Sequence, residues 1–387
     1  MPLSFHNMKI LEITNYTAGG CGVGMRVLKE SQLLAERGHK VTIFSSNQVK
    51  GSKDLCSLEE NQGLVNIQRF SSTNLGGESY MLWNFKKEAL KLNPDVIIVH
   101  AYRHMHNLQA LKIAKKLKCK IFLVTHAPFA REASRTWIQN KIVKTYDNII
   151  GKNNLKKFNK IITITKWEEK YLKELGVNKD KIVYLPNGVK DEFFKPIKMI
   201  SKPITKIAYW GRISKIKQLE SVSRAIALRI NEDWIFNIRG PADKDYLKKL
   251  NLIIKEKGLK GREFIESLPY NYSEQIKGLD NSQIFILPSL SEGMPQTLVE
   301  AMARGRIVIG SNNEGNKELI QDEKNGFIFK NGDEKDLANI LDRIKRLNQK
   351  EIILLQKNAR KTAENFMWNN IIQKIESLIA SNGSYTS

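Results

Sequence analysis

Two carboxylates, Glu292 and Glu300, stand with seven residues between them (Glu-x7-Glu) in the stretch PSLSEGMPQTLVEAMARGRIVIG that starts at Pro288. The apolar run Gln283–Leu287 before them reads as a buried strand, and Ser289–Met294 as a polar turn containing Gly293. Pro295–Arg304 reads as a helix that Gly305 stops, and Arg306–Ile309 as the next strand. In such a unit the loop sits at the carboxyl end of the strand. The free N–H groups at the helix start, from Met294 through Gln296 and Thr297, point into the same crevice and favour an anion there. Acids would repel that anion, so Glu292 and Glu300 are expected to face neutral hydroxyls, which donate readily to carboxylates. A cationic pair, Arg212 and Lys217, stands upstream between the strand Lys206–Trp210 and a helix from about Gln218. The planar fork of arginine and the point charge of lysine can converge on one pyrophosphate. The ligand implied is hydroxyl-rich at both ends and phosphate-rich in the middle, as a nucleotide sugar is.

The elements that must position these groups alternate strand and helix in both halves. Met8–Thr14 is a compact strand, followed by the glycine-rich turn Ala18–Gly24, a helix to about Arg37 and the strand Lys40–Phe44. A dinucleotide fingerprint counted from Gly20 and Gly22 needs a third glycine at position 25, where Met25 stands, and an acid after the second strand, where Ser45, Ser46 and Asn47 stand. Nicotinamide chemistry is therefore disfavoured. Asp95–Val99 and Lys120–Thr125 are apolar strands of the kind a parallel sheet buries on both faces, and histidines follow them: His100 and His104 after the first, His126 after the second. Strand ends are where such sheets build sites, which makes His126 a candidate; His100 and His104 are expected only to cap or brace turns. Leu185–Asp191 is the expected hinge, with Pro196 and Pro203 marking a linker. Trp234–Arg239, Glu263–Glu266, a helix near Glu274–Leu279, Gly326–Phe329 and a helix from about Asp333 continue the second half.

The segment PS-x-x-EG-x-P-x-x-x-x-EAMA-x-G resembles the donor-site signature of the large Glu-x7-Glu family of retaining glycosyltransferases, the family 4-like "glycosyl transferases group 1". The Gly-Arg-x4-Lys element at Gly211–Lys217 and the Asn-Gly-Val stretch at Asn187–Val189 are similar to two further family elements. Gln218 stands where the family usually has glycine, and Lys190 where an acid often follows. The resemblance implies an α/β fold of the GT-B type: two facing Rossmann-like domains with parallel sheets, and a last helix that crosses back to the first. The expected boundaries are 1–190 for the acceptor domain, 191–363 for the nucleotide-sugar domain and 364–387 for the crossover helix and its frayed tail. It further implies that Gly20 and Gly22 let backbone amides approach the donor phosphate, that His126 contacts the donor sugar and helps place the acceptor, and that Leu268–Tyr270 seats the base. Glu292 would orient the sugar hydroxyls and Glu300 the ribose. Transfer is expected with retention, without a metal or separate cofactor, from a UDP- or GDP-linked rather than an ADP-linked donor.

The chain has 387 residues, 41% of them hydrophobic, enough for two domains with their own cores. Sixty-three basic residues against 40 acidic ones give +23, so an anionic partner is expected. No apolar run approaches the ~18 residues of a membrane span, no signal-peptide core opens the chain, and Cys21, Cys56 and Cys119 suit a reducing compartment as buried small hydrophobes. A cytoplasmic location follows, with the inner face of the cell membrane as a peripheral site. The basic segment from Trp137 to Lys160 carries that idea, since Ile138, Ile142, Tyr146 and Ile149 recur about one helical turn apart among Lys141, Lys144, Lys152, Lys156, Lys157 and Lys160. The plain alternative is a domain helix packing its stripe inward. A glycan or lipid-linked acceptor fits a membrane-facing enzyme, and a soluble small-molecule acceptor is the other possibility. A catalytically silent protein holding an anionic partner is the rival class, suggested by +23, Gln218 and Lys190. Nucleic acid is disfavoured, because aromatics do not interleave with the basic clusters.

Overall fold

The computed structural model describes residues 7–130, 135–197, 199–269 and 271–381. Tyr270, in the turn expected to seat a base, and the expected tail at 382–387 lie outside the described residues. The chain divides into two compact units: Met1–Phe129, Arg135–Asn187 and Asn369–Ser387 form one, and Ala130–Ser134 with Gly188–Trp368 the other.

In the first unit, strands β1 (Lys9–Ile13), β2 (Lys40–Ser46), β3 (Glu59–Gln62), β4 (Val65–Phe70), β7 (Val96–His100), β8 (Lys120–Val124), β9 (Lys160–Thr163) and β10 (Ile182–Tyr184) form one sheet, while β5 (Ser72–Asn74) and β6 (Met81–Trp83) pair separately. The order is β10-β9-β8-β7-β1-β2-β4-β3, parallel except where β3 meets β4. The strands β1, β7 and β8 are wholly or almost wholly buried, as their apolar runs require of a sheet covered on both faces. Strand order reverses between β1 and β7, and a crevice opens where chains leave in opposite directions from adjacent carboxyl ends. The helix Trp368–Ala380 completes this unit: Ile371, Ile372, Ile375 and Ile379 are buried, Glu376 Oε2 pairs with Arg37 Nε at 3.0 Å, and Lys120 Nζ donates to the Ile379 carbonyl at 2.9 Å.

The second unit has six strands, β11 (Lys206–Trp210), β12 (Ile235–Arg239), β13 (Glu263–Glu266), β14 (Ile284–Leu287), β15 (Ile307–Ser311) and β16 (Phe327–Phe329). All are parallel in the order β13-β12-β11-β14-β15-β16, and the reversal falls between β11 and β14. That is the doubly wound order whose crevice receives nucleotides.

The basic segment differs from its plain alternative. It is a helix Trp137–Tyr146 begun by a Thr136/Gln139 capping box, then a π-helical turn Asp147–Gly151 and a last turn Lys152–Leu155. Lys160, the last of its lysines, opens β9. No residue of Trp137–Tyr146 is buried, and Trp137, Ile138, Ile142 and Ile149 are 75%, 62%, 53% and 64% exposed. Of the stripe, Ile138, Ile142 and Ile149 face outward together with Trp137, whereas Tyr146 packs against the core. Of the cysteines, Cys21 and Cys119 are buried, but Cys56 is half-buried.

Candidate active site

The donor-side groups gather at the β11/β14 reversal of the second unit. After β11, Gly211 leads to the exposed Arg212 and a short 3₁₀ turn, Lys215–Lys217. After β14, the loop carries Glu292. Lys217 Nζ donates to Glu292 Oε1 at 2.5 Å, with side chains only 18% and 12% exposed, and Leu290 N donates to the Ile216 carbonyl at 2.8 Å, so an ion pair and a backbone bond join the two loops flanking the crevice. The acid neutralises the cation and so keeps a half-buried charge paired. The loop lies against the short helix Glu314–Leu319: a Cβ at Gly315 would stand 2.5 Å from the Gly293 carbonyl and 2.8 Å from Glu292 Cβ. Only glycine allows that approach.

The helix Gln296–Ala303 follows Pro295 and has no side-chain cap, which leaves its first N–H groups for a ligand. Gln296 Nε2 donates to the Gly188 carbonyl at 2.9 Å, while its Oε1 is buried without a partner, so the side chain keeps an acceptor beside the backbone N–H. Thr297 is half-buried at the helix start, and Met294 packs partly on the core. Glu300 is 2% exposed, and Gln275 Nε2 donates to its Oε2 at 2.6 Å. Gln275, fully buried, was not singled out from sequence; its only signal is a polar residue on the apolar stripe of its helix, Tyr272–Asp280. The two unusual residues also find physical places. Gln218 adopts φ 46°, ψ 40°, the left-handed conformation that explains glycine's usual presence there, and Lys190 Nζ sits 3.7 Å from the Tyr272 ring centroid.

In the first unit the glycine turn after β1 takes its shape from other glycines than Gly20 and Gly22. Cys21 caps the helix Gly22–Glu36, and the positions that demand glycine are Gly19, at φ 82° against Lys50, and Gly24, where a Cβ would meet the Tyr16 carbonyl at 2.5 Å. Gly20 and Gly22 are exposed, with open space where a Cβ would stand, so only a ligand's approach would require glycine there.

His126 follows β8 at φ 59°, and Ala127 continues at φ 50°. Two consecutive left-handed non-glycine residues cost energy that the surroundings must offset. Glu168, fully buried, supplies part of this: its Oε1 accepts from Ala127 N at 3.0 Å, while its Oε2 accepts from Ile164 N and Thr165 N, both at 3.1 Å. Burial pushes Glu168 up to about 7 against those bonds. His126 Nε2 lies 3.0 Å from His100 Nδ1, and His100 Nε2 lies 2.5 Å from Glu12 Oε2. His100 is therefore no turn brace but the middle of a buried chain from β1 to His126; His104 meets Asn15 Nδ2 at 2.9 Å and His106, which was not singled out, meets Asn15 Oδ1 at 2.9 Å. Among the described residues no cluster of His, Cys, Asp or Glu is arranged to hold a metal ion.

Two family models divide the chain between them: "Glycosyltransferase Family 4" matches residues 20–193 and "Glycosyl transferases group 1" residues 190–365. An Escherichia coli UDP-Gal:alpha-D-GlcNAc-diphosphoundecaprenol alpha-1,3-galactosyltransferase is 28% identical over 54% of this chain and 55% of its own. The chain spans about half the length of the first curated relatives it matches. Among solved structures, sucrose-phosphate synthase from Thermosynechococcus elongatus superposes with a TM-score of 0.77 at 16% identity, covering 96% of this chain and 98% of the other. Anabaena HepE in complex with UDP and glucose does so with 0.73 at 16% identity, covering 97% and 100%.

Proposed function

This chain belongs to the group 1 and family 4 glycosyltransferases and has the GT-B fold, and from that premise we propose that it moves a sugar from a nucleotide-sugar donor to a lipid-linked glycan acceptor, with retention and without a metal. The observation that carries the reading is the Lys217–Glu292 pair across the β11/β14 reversal. A donor entering there meets Arg212 and Lys217 at its diphosphate and Glu292 at its sugar, with the backbone N–H groups of Met294, Gln296 and Thr297 at the start of the helix after β14. As the glycosidic bond breaks, negative charge grows on the departing nucleotide diphosphate, and these fixed donors stabilise it more than they do the intact donor. Glu300, steadied by Gln275, takes ribose hydroxyls. Same-face attack guided by the leaving phosphate accounts for retention without the paired acids of a glycosidase.

A lipid-linked acceptor is supported by the Escherichia coli relative, a galactosyltransferase for GlcNAc-diphosphoundecaprenol, and by the outward side chains of Trp137, Ile138, Ile142 and Ile149 among lysines. Such a face fits an anionic lipid surface better than water. No helix among the described residues is long and apolar enough to cross a membrane.

The test sets UDP-, GDP- and ADP-sugars against the protein by thermal shift and slow nucleotide release. UDP- or GDP-sugars are expected to stabilise it. Arg212→Ala or Lys217→Ala should lower turnover about a hundredfold, roughly 3 kcal/mol, with the fold kept. Glu292→Gln should leave free nucleotide diphosphate bound at least as tightly, since Lys217 is released to it, while use of the sugar donor collapses. Full turnover in both cation variants at saturating donor would remove the diphosphate assignment.

A further inference from the structure

The chain Glu12–His100–His126 has a direction, because each link has room for one proton. Glu12 and His100 are wholly buried, and His126 is half-buried at the carboxyl end of β8. Glu12 Oε2 to His100 Nε2 is 2.5 Å, His100 Nδ1 to His126 Nε2 is 3.0 Å, and the two imidazole rings lie 5.3 Å apart at 41°. Among the described residues His126 Nδ1 makes no hydrogen bond, and Glu12 Oε1 is buried without a partner. A carboxylate so placed is poorly solvated, whereas a carboxylic acid needs one acceptor and finds it in His100 Nε2.

With Glu12 protonated, its O–H donates to His100 Nε2. The His100 proton must then be on Nδ1, donating to His126 Nε2, and the His126 proton on Nδ1. With Glu12 ionised every link reverses: His100 donates from Nε2 to the carboxylate, its Nδ1 accepts from His126 Nε2–H, and His126 Nδ1 is left a bare acceptor. We propose that Glu12 and His100 are positioning residues that fix the ring orientation and tautomer of His126, presenting Nδ1–H as a hydrogen-bond donor to a hydroxyl or oxygen of the sugar or acceptor. This rests on the sugar transfer proposed above and on the contact with the donor sugar that the family resemblance implies for His126.

The groups acting on the chain are Arg26 with its ion-pair partner Glu30, at 3.0 Å, and His104 beside His126. Burial pushes Glu12 up to about 8, opposed by Arg26, and pushes His100 down to about 3 and His126 well below the usual imidazole range. The donor tautomer therefore holds through neutral pH and is lost on the alkaline side, when Glu12 gives up its proton.

Histidine ¹⁵N shifts report directly which ring nitrogen carries the proton, and kcat against pH reports its use. In the wild type, His126 should carry Nδ1–H at pH 6.5, assigned by its loss in His126→Gln, and kcat should fall about tenfold between pH 7 and pH 9, the worth of one neutral hydrogen bond. Glu12→Gln keeps an N–H donor towards His100 and cannot ionise, so its ¹⁵N pattern should stay constant over that range and the alkaline fall in kcat should vanish. Glu12→Leu should leave His126 a mixture of tautomers; His100→Asn serves as a second break in the chain if that variant folds poorly. A His126 tautomer unchanged by Glu12→Leu and His100→Asn overturns the proposal. If the tautomer follows the chain but kcat ignores His126→Gln, the placement of His126 at the sugar fails and the relay stands.

Discussion

At the scale of single residues, the donor loop depends on a hydrogen atom. Gly315→Ala puts a methyl group into the Gly293 carbonyl and Glu292, so the loop must move outward and stretch the bond to Lys217. We expect the fold to survive, because the clash is with a loop, and donor affinity to drop about tenfold or more, measured by calorimetry with the nucleotide sugar. Unchanged affinity would mean that the loop relocates on binding and that its resting position carries no information. Glu292, Glu300, Arg212 and Lys217 were legible in the sequence because each stands at a fixed offset from a strand end, and parallel sheets build sites there. Glu12 and His100 were not. Both lie on strands whose apolar neighbours announce only burial, and their meeting depends on β1 and β7 being adjacent, a pairing between positions 88 residues apart. Gln218 shows the converse: its departure from glycine was visible, but its left-handed backbone was not.

At the scale of elements, the strands were the most legible parts, since buried parallel strands are apolar throughout and short. The basic segment was the least. Its 3.6-residue periodicity established an amphipathic helix but said nothing about which way the apolar face turns, and the π-helical turn at Asp147–Gly151 has no sequence signal of its own. The outward face makes a separable prediction about lipid. With vesicles containing anionic lipid, Trp137→Ser with Ile138→Ser should weaken binding at low and high salt alike, through lost apolar contact. Replacing Lys141, Lys144, Lys152 and Lys156 by Gln should weaken it chiefly at low salt, by about 1 kcal/mol for each lysine near the surface. Lys160 is left out because its Nζ is bonded to the Asp180 carbonyl at 2.6 Å. Co-sedimentation that is absent, or indifferent to both sets, would remove the membrane from the proposed function and leave sugar transfer untouched.

At the scale of the whole molecule, buried acids set how stability varies with pH. Glu263 on β13 is buried, accepts from Ser223 Oγ at 2.8 Å, and is pushed up to about 7 by burial. A carboxyl raised on folding favours the folded state below its ordinary value, near 4.5, and that contribution disappears as pH climbs to about 7. The wild type should therefore lose roughly 2–3 kcal/mol more than Glu263→Gln between pH 5 and pH 8, as urea unfolding would show. Equal losses would mean that water or a rearrangement relieves the ionised carboxylate. The helix Trp368–Ala380 bears on a different matter, the order in which the molecule is made. It follows the second unit in sequence but covers the first, closing over Arg37 and Lys120. A ribosome delivers residues in order, so the first unit emerges early and waits, its apolar seat for Ile371, Ile372, Ile375 and Ile379 uncovered, while 181 residues from Gly188 to Trp368 are still being added. A frameshift or premature stop anywhere in the second unit thus injures both units, and a nascent chain is most in need of a chaperone during that interval.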